Sequence, residues 1–361
     1  METGTSQVKV QSDDLEYIVN FVKSKLVTYD VVVDPISVKF YYFNSDNPDL
    51  TNAFDEIRKE LVPKNYVPFL NESQEHFLEV TRRPETHFRG VIVNLILLIA
   101  TLASTIYVGT LWAEPFFIGL RSRIFYGFVF FSLPIMAILG IHETGHFIVA
   151  RLHKVRASLP FFIPIPYEIG TFGAFISLRD PIPNRKVMTE IGISGPIFGF
   201  VTALPLLFVA NYFSHIYTPI SGIPSPYPFV INYPLIYTLF HLHYIPTKPV
   251  FPMVLAVWVG MFATAMNLIP AGQLDGGHVI RGLLGKKANY VDYIFVAFLF
   301  IAGFSYTGWW IIAILVVLMG LTHPPALDDY SKIKSRDIAL GIIALIMFAL
   351  TFTLIPISAL P

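Results

Sequence analysis

His142 and His146 stand four residues apart, with Glu143 beside the first, in Ile141-His142-Glu143-Thr144-Gly145-His146-Phe147. On a helix that spacing puts both imidazoles on one face, where they can grip a single zinc ion. Glu143 then points beside them, towards a water at the metal. The flanks, 125–141 and 147–150, are nearly all apolar. Ionisable side chains in such surroundings are costly and tend to be functional, which favours a metal site over a chance pattern of structural histidines.

A hydrolytic zinc keeps three protein ligands and one open position, so one ligand remains to be found. The chain has no cysteine, which leaves His, Asp or Glu. Fifteen of the 25 acidic residues fall in 1–85, so only ten serve the other 276 positions. Among those ten, Asp275 stands out in Asn267-Leu268-Ile269-Pro270-Ala271-Gly272-Gln273-Leu274-Asp275-Gly276-Gly277-His278. Its glycine neighbours let backbone pack closely there. Asp275 could instead cap the helix that follows, and His278, three positions on, is an alternative ligand. Glu168 and Glu190 compete less well. The first lies in a proline-broken stretch, and the second opens an apolar span with no polar companion. A third pattern, His241-x-His243, suits a strand more than a metal-binding helix, and it and His215 read as structural.

The elements that must carry these residues are read from composition. Of 361 residues 54% are hydrophobic and only 14% charged, with mean hydropathy +0.60. A soluble chain would carry about a quarter charged residues, so this is the composition of a polytopic membrane protein. Net charge is zero, which removes the electrostatic case for nucleic acid as a partner. The first 15 residues have neither the basic and apolar regions of a signal peptide nor the look of a transit peptide.

Residues 1–85 read as a small α+β domain. Leu15, Ile18, Val19, Val22 and Leu26 follow a helical period, and 29–43 is β-branched and aromatic, interrupted at Asp34-Pro35. Thr51 is placed to cap a helix bearing Phe54, Ile57 and Leu61, and strands follow near 67–70 and 76–81.

Apolar spans follow at about 90–112, 124–152, 188–213, 252–272, 290–304, 307–322 and 337–358. The pair at 290–322 is either two tight spans hinged at Gly303–Gly308 or one re-entrant element, and Trp309-Trp310 suits interfacial anchoring. The expected architecture is a polytopic α-helical membrane protein of six to seven transmembrane helices behind the N-terminal domain. Lys and Arg cluster at 82–89, 151–186, 281–287 and 332–336, against only Arg121, Arg123 and Lys248 on the other side. The positive-inside rule then predicts a multi-pass cell-membrane protein with a cytoplasmic N-terminus and an outside C-terminus. Between spans, 158–177 is apolar but broken by Pro160, Pro164 and Pro166. It reads as a re-entrant hairpin, since irregular backbone at membrane depth must be buried or line a wet cavity.

Taken together, His142–His146 and Asn267–His278 resemble the site-2 protease family of intramembrane zinc metalloproteases. Gly170-Thr171-Phe172-Gly173-Ala174 and Gly192-Ile193-Ser194-Gly195-Pro196 match the family core between them. The likeness covers about 86–285, leaving 286–361 as additional helices of an 86–361 protease domain. It implies one Zn2+ on His142, His146 and Asp275, with Glu143 as general base and acid. Asn267 matches an asparagine that orients substrate or stabilises the oxyanion. The implied activity is hydrolysis of peptide bonds in or near transmembrane segments of substrates within the lipid bilayer. Residues 170–174 would offer a strand edge to an unwound substrate. The pattern departs from the family in lacking a PDZ-sized insertion and a nucleotide-sensing module. It resembles a prokaryotic, archaeal-type member, and residues 1–85 look like those of some archaeal and cyanobacterial or plastid relatives. Two rivals stand beside this reading. A metal-ion transporter would use the same side chains as an ion path, although no internal repeat is visible. An inactive relative would only bind transmembrane segments, which the intact Glu143 argues against. Substrate identity and oligomeric state are not encoded legibly.

Overall fold

The computed structural model describes residues 12–72, 75–83, 91–223, 229–242 and 249–359. Its first part is a helix α1 (Ser12–Lys25), a hairpin of β1 (Asp30–Val33) and β2 (Ser37–Tyr41), a helix α2 (Leu50–Leu61), and a hairpin of β3 (Tyr66–Glu72) and β4 (His76–Arg82). The antiparallel sheet runs β1-β2-β4-β3. Alternation aligns Val38 with Val80 and Phe40 with Leu78 on one face. That face is buried with Ile18, Val22 and Leu26 of α1 and Phe54, Ile57 and Leu61 of α2. Asp34-Pro35 is the hairpin turn, closed by the Asp34 N–H donating to the Ser37 carbonyl at 2.9 Å. Thr51 is not a cap. The helix opens one residue earlier, because the Asn47 and Asp49 carbonyls already accept from the amides of Leu50, Asn52 and Ala53.

The remainder is mostly helical. It comprises α3 (Val91–Trp112), α4 (Leu120–Gly127), a π-turn at Phe128–Ser132, α5 (Leu133–Leu152), the hairpin β5 (Phe161–Pro164)–β6 (Thr171–Phe175), and α6 (Arg185–Ile216). Then come β7 (Phe229–Ile231), α7 (Leu235–Leu239), α8 (Pro252–Asn267), α9 (Asp275–Leu284), α10 (Ala288–Ala302), α11 (Gly308–Met319), α12 (Ser335–Thr351) and β8 (Ile357–Ala359), which pairs with β7.

Among the described residues three helices are long and apolar enough to cross a membrane: Val91–Trp112, the continuous Leu120–Leu152, and Arg185–Ile216. Only 22% of the apolar window of α3 is buried. Such a surface calls for an apolar surrounding rather than water. Helices α8, α10, α11 and α12 have 16, 15, 12 and 17 residues. At 1.5 Å per residue these are roughly 18–26 Å long, against a hydrocarbon thickness of about 30 Å.

The span expected at 252–272 stops at Asn267. Pro270 disfavours helix at Ile269, and Gly272 takes φ +58, so 268–274 turns and α9 starts afresh at Asp275. Trp309 is not an interfacial anchor either. It is fully buried, stacks on Phe352 and donates its Nε1–H to the Leu354 carbonyl at 2.6 Å. Trp310 is the half-exposed member of the pair.

The proline-broken stretch forms the β5–β6 hairpin, which α3 supports. Asn94 Nδ2 donates to the Leu159 carbonyl at 2.8 Å, and Trp112 Nε1 to the Glu168 carbonyl at 3.1 Å. Gly170, at φ +84, lies so close to α3 that a Cβ would stand 2.8 Å from Thr105 Cα. Asn184 caps α6, its side chain accepting from the Val187 N–H at 2.9 Å.

Candidate metal centre

Helix α5 carries His142 and His146 one turn apart, both buried, with ring centroids 5.0 Å apart and Nε2 atoms 3.3 Å apart. Helix α9 starts where its first residue, Asp275, brings Oδ2 to 3.1 Å from His142 Nε2 and 3.2 Å from His146 Nε2. These are the one group of three potential ligand atoms found converging among the described residues.

The donor chemistry tests whether a metal fits. His146 Nδ1 lies 2.8 Å from the Ile191 carbonyl, which can only accept. Nδ1 therefore carries the proton, and a neutral His146 aims its Nε2 lone pair at His142 and Asp275. Three such atoms facing one point repel unless a cation lies between them, and one proton bridges only two. Tetrahedral ligands at zinc bond lengths of 2.0–2.2 Å stand about 3.3–3.6 Å apart, close to the spacing here. The residues fit one zinc ion.

Glu143 is buried, with Oε1 3.9 Å from His142 Nε2, and it lines the same cavity as Ile176, just beyond β6. Asn267, the last residue of α8, places Nδ2 3.3 Å from His142 Nε2. The structure thus gathers His142, Glu143, His146, Asn267 and Asp275 at one place. It puts His278 elsewhere: Nδ1 donates to the Leu274 carbonyl at 3.0 Å and the ring meets His323 edge-on. Glu190 also points away, onto His153 at 2.6 Å and Arg336 at 3.4 Å. His241 is outside the cluster, and His243 lies outside the described residues.

A cavity of about 510 Å³ opens beside the cluster, reached by Glu143, His146, Asn267 and Asp275. Of the expected substrate segment only Ala174 lines it, followed by Phe175–Leu178. Gly170 packs against α3, Phe172 is 75% exposed, and Gly173, at φ +106, has open space around it. Thr171 Oγ1 accepts from the Gly173 N–H and donates to the Ile163 carbonyl, bracing the hairpin.

The glycines of α6 have a role that motif matching alone does not explain. A Cβ at Gly195 would overlap the His146 ring, and one at Gly199 would stand 3.0 Å from His142 Nδ1. At Gly192 it would stand 2.7 Å from His278 Cβ and 2.9 Å from the Asp275 carbonyl oxygen. Gly192, Gly195 and Gly199 therefore form the floor on which α5 and α9 lie. The spacing of small residues along an apolar helix is the signal by which sequence could have found this floor.

Residues 130–302 match peptidase family M50. The chain is 28% identical over 247 residues to the probable zinc metalloprotease EGY1, chloroplastic, of Arabidopsis thaliana, covering 63% of this chain and 44% of that protein. It is 27% identical over 235 residues to the probable zinc metalloprotease EGY2, chloroplastic, of the same plant, covering 60% and 40%. With zinc metalloprotease MJ0392 of Methanocaldococcus jannaschii it shares 30% identity over 172 residues, 48% of this chain and 39% of the relative. The chain thus spans less than half the length of these relatives. His142, Glu143, His146, Asn267 and Asp275 all fall inside the 130–302 stretch that is similar to peptidase family M50.

Proposed function

We propose that the protein is an intramembrane zinc metalloprotease, hydrolysing peptide bonds in or near transmembrane segments of membrane-protein substrates. The observation that carries this reading is the convergence of two imidazoles and a carboxylate beside the buried Glu143, on an apolar helix. His142, His146 and Asp275 would hold one zinc ion, which supplies Lewis acidity and brings a water's pKa to around 7. Glu143 is placed to take a proton from the water that attacks the carbonyl carbon and to return it to the amine nitrogen released as the peptide C–N bond breaks. Asn267 Nδ2, which lines the same cavity as Glu143, donates to the carbonyl oxygen as negative charge develops there.

The substrate helix must unwind to expose its scissile bond, and its freed amides and carbonyls need partners where unpaired ones are expensive. In this reading β5–β6 is a re-entrant hairpin, and β6, whose one sheet neighbour among the described residues is β5, offers its outer edge. Phe172 lies where the β5–β6 register shifts, between the Phe162–Ala174 and Pro164–Thr171 pairs, so its N–H is the donor to test. Phe172→Pro removes that donor and is expected to cut cleavage about tenfold, the cost of one lost hydrogen bond to a polar partner. Phe172→Ala keeps the amide and should keep most of the activity. Equal rates in both variants, at unchanged zinc content, would dispose of strand addition here.

The same reading makes 1–85 a cytoplasmic domain and 86–361 the membrane protease domain, with six to seven spans. The short helices α8 and α10–α12 then complete the bundle where protein rather than lipid surrounds their ends. The N-terminal sheet, the end of α5 and the start of α6 lie at one end of the molecule, where Arg58 donates to the His153 carbonyl and Arg83 to the Arg179 carbonyl. Arg83 and Arg179 belong to the basic clusters at 82–89 and 151–186, which supports a cytoplasmic location for that end.

The test uses purified full-length protein in detergent with single-span substrates. One zinc per chain is expected, with cleavage abolished by a chelator and restored by one equivalent of zinc. Cleavage that persists without metal, or metal transport without cleavage, would overturn the proposal.

A further inference from the structure

Met319, the last residue of α11, and His323, Pro324 and Pro325 of the segment that follows line the cavity together with Ala174–Leu178, Glu143 and Asp275. We infer that residues 319–325 form the second wall of the substrate cleft and select the side chains flanking the scissile bond. This inference rests on the protease reading of the same site.

The wall is built to hold its position. Gln273, two residues before Asp275, donates Nε2–H to the Met319 carbonyl at 2.9 Å. His323 is buried edge-on against His278 of α9, at a centroid distance of 4.3 Å. Beyond the prolines, Leu327 is fully buried in the core of the N-terminal domain, and its carbonyl accepts from the Leu70 N–H of β3 at 3.0 Å. Its own N–H donates to the Ile182 carbonyl at 3.0 Å, and Asp329 pairs with Arg281 of α9 at 2.8 Å with both side chains largely buried.

The opposite lip is tied to the same domain. Arg83, just past β4, donates to the Arg179 carbonyl at 2.8 Å and approaches Asp180 at 3.5 Å, and Arg156 clasps Asp180 at 2.8 Å. Burial alone would raise the Asp180 carboxyl, but the Arg156 hydrogen bonds and the two cations outweigh it and hold it below the usual carboxylate range. The two lips thus meet where Leu327 bonds the Ile182 carbonyl, and both are also tied to the N-terminal domain, which fixes their relative position. Met319 and the two prolines face the gap with exposed apolar surface and no free backbone donor at either proline. One wall thus supplies backbone pairing and the other a shaped apolar surface. An extended peptide passing between them is read by side-chain size.

The experiment compares two single-span substrates that differ only in Ala or Phe beside the scissile bond. Met319→Ala widens the cleft and Met319→Phe narrows it. The Phe-to-Ala ratio of kcat/KM should rise in the first and fall in the second, each by roughly tenfold, the low end for a change of one or two methylenes in an apolar pocket. Leu327→Ala, which leaves the cavity lining intact, should bring that ratio towards one at unchanged zinc content. A purely structural role for the segment would lower both substrates alike. Ratios unchanged in all three variants, with the unsubstituted protein cleaving both substrates, would overturn the wall. An unsubstituted, zinc-loaded protein that cleaves neither would overturn the protease reading and the wall with it.

Discussion

Glu143→Gln is expected to keep its zinc and lose proteolysis by roughly 10³-fold, mid-range for removing a positioned general base. The amide preserves the shape of a side chain that is buried beside the cluster, so α5 should pack as before. It cannot take up a proton from water. Glu143 is not among the three converging ligand atoms, its oxygen standing 3.9 Å from His142 Nε2, so metal content should stay at one per chain. Single-turnover cleavage and metal analysis on the same preparation check both halves. Cleavage near the unsubstituted rate would remove Glu143 from the reaction.

Asp275→Ala is expected to lose zinc and activity together. Its Oδ2 is the point nearest to both imidazoles, and removing it leaves two ligands where a hydrolytic zinc keeps three. Loss of even an outer partner of a metal ligand costs 10–100-fold in affinity, so loss of the ligand should cost more than about 100-fold. Mass spectrometry of metal after extensive dialysis measures this, with His278→Ala as the comparison. His278 is tied to the Leu274 carbonyl and to His323, so its variant should retain zinc. Full zinc in Asp275→Ala with loss in His278→Ala would transfer the ligand role to His278. The contrast between Glu143→Gln and Asp275→Ala separates chemistry from metal holding, which neither variant does alone.

Some elements were legible because their cause is local. The helical period of Ile18, Val22 and Leu26 and the β-branched, aromatic run over 29–43 with its break at Asp34-Pro35 each follow from backbone geometry within a few residues, whereas the choice of a hairpin there is made by the pairing of β1 with β2. Other elements differ from local expectation, at Thr51 and Gly272 for reasons of backbone geometry and at Trp309 for a tertiary one. Thr51 has capping chemistry, but the preceding turn had already satisfied the amides it would have bonded. Trp309 has interfacial chemistry, but Phe352 and the Leu354 carbonyl bury its ring and its N–H. Hydropathy extended α8 to 272, whereas Pro270 and the left-handed Gly272 end the helix and free Asp275 to open another.

The amino-acid sequence by itself determined that His142 and His146 share a face with Glu143 beside them, because 3.6 residues per turn leaves no other outcome on a helix. It also determined the apolar setting and the absence of thiolate ligands. Only the tertiary structure decided which remote carboxylate meets those imidazoles. Asp275 lies 129 residues from His146 and arrives there because Gly192, Gly195 and Gly199 let α5 and α9 settle onto α6 without a Cβ between them. Tertiary structure alone likewise turned the Ile191 carbonyl onto His146 Nδ1 and brought Met319, His323, Pro324 and Pro325 to the cavity. Contacts of that range depend on the packing of whole elements, which no spacing along the chain records.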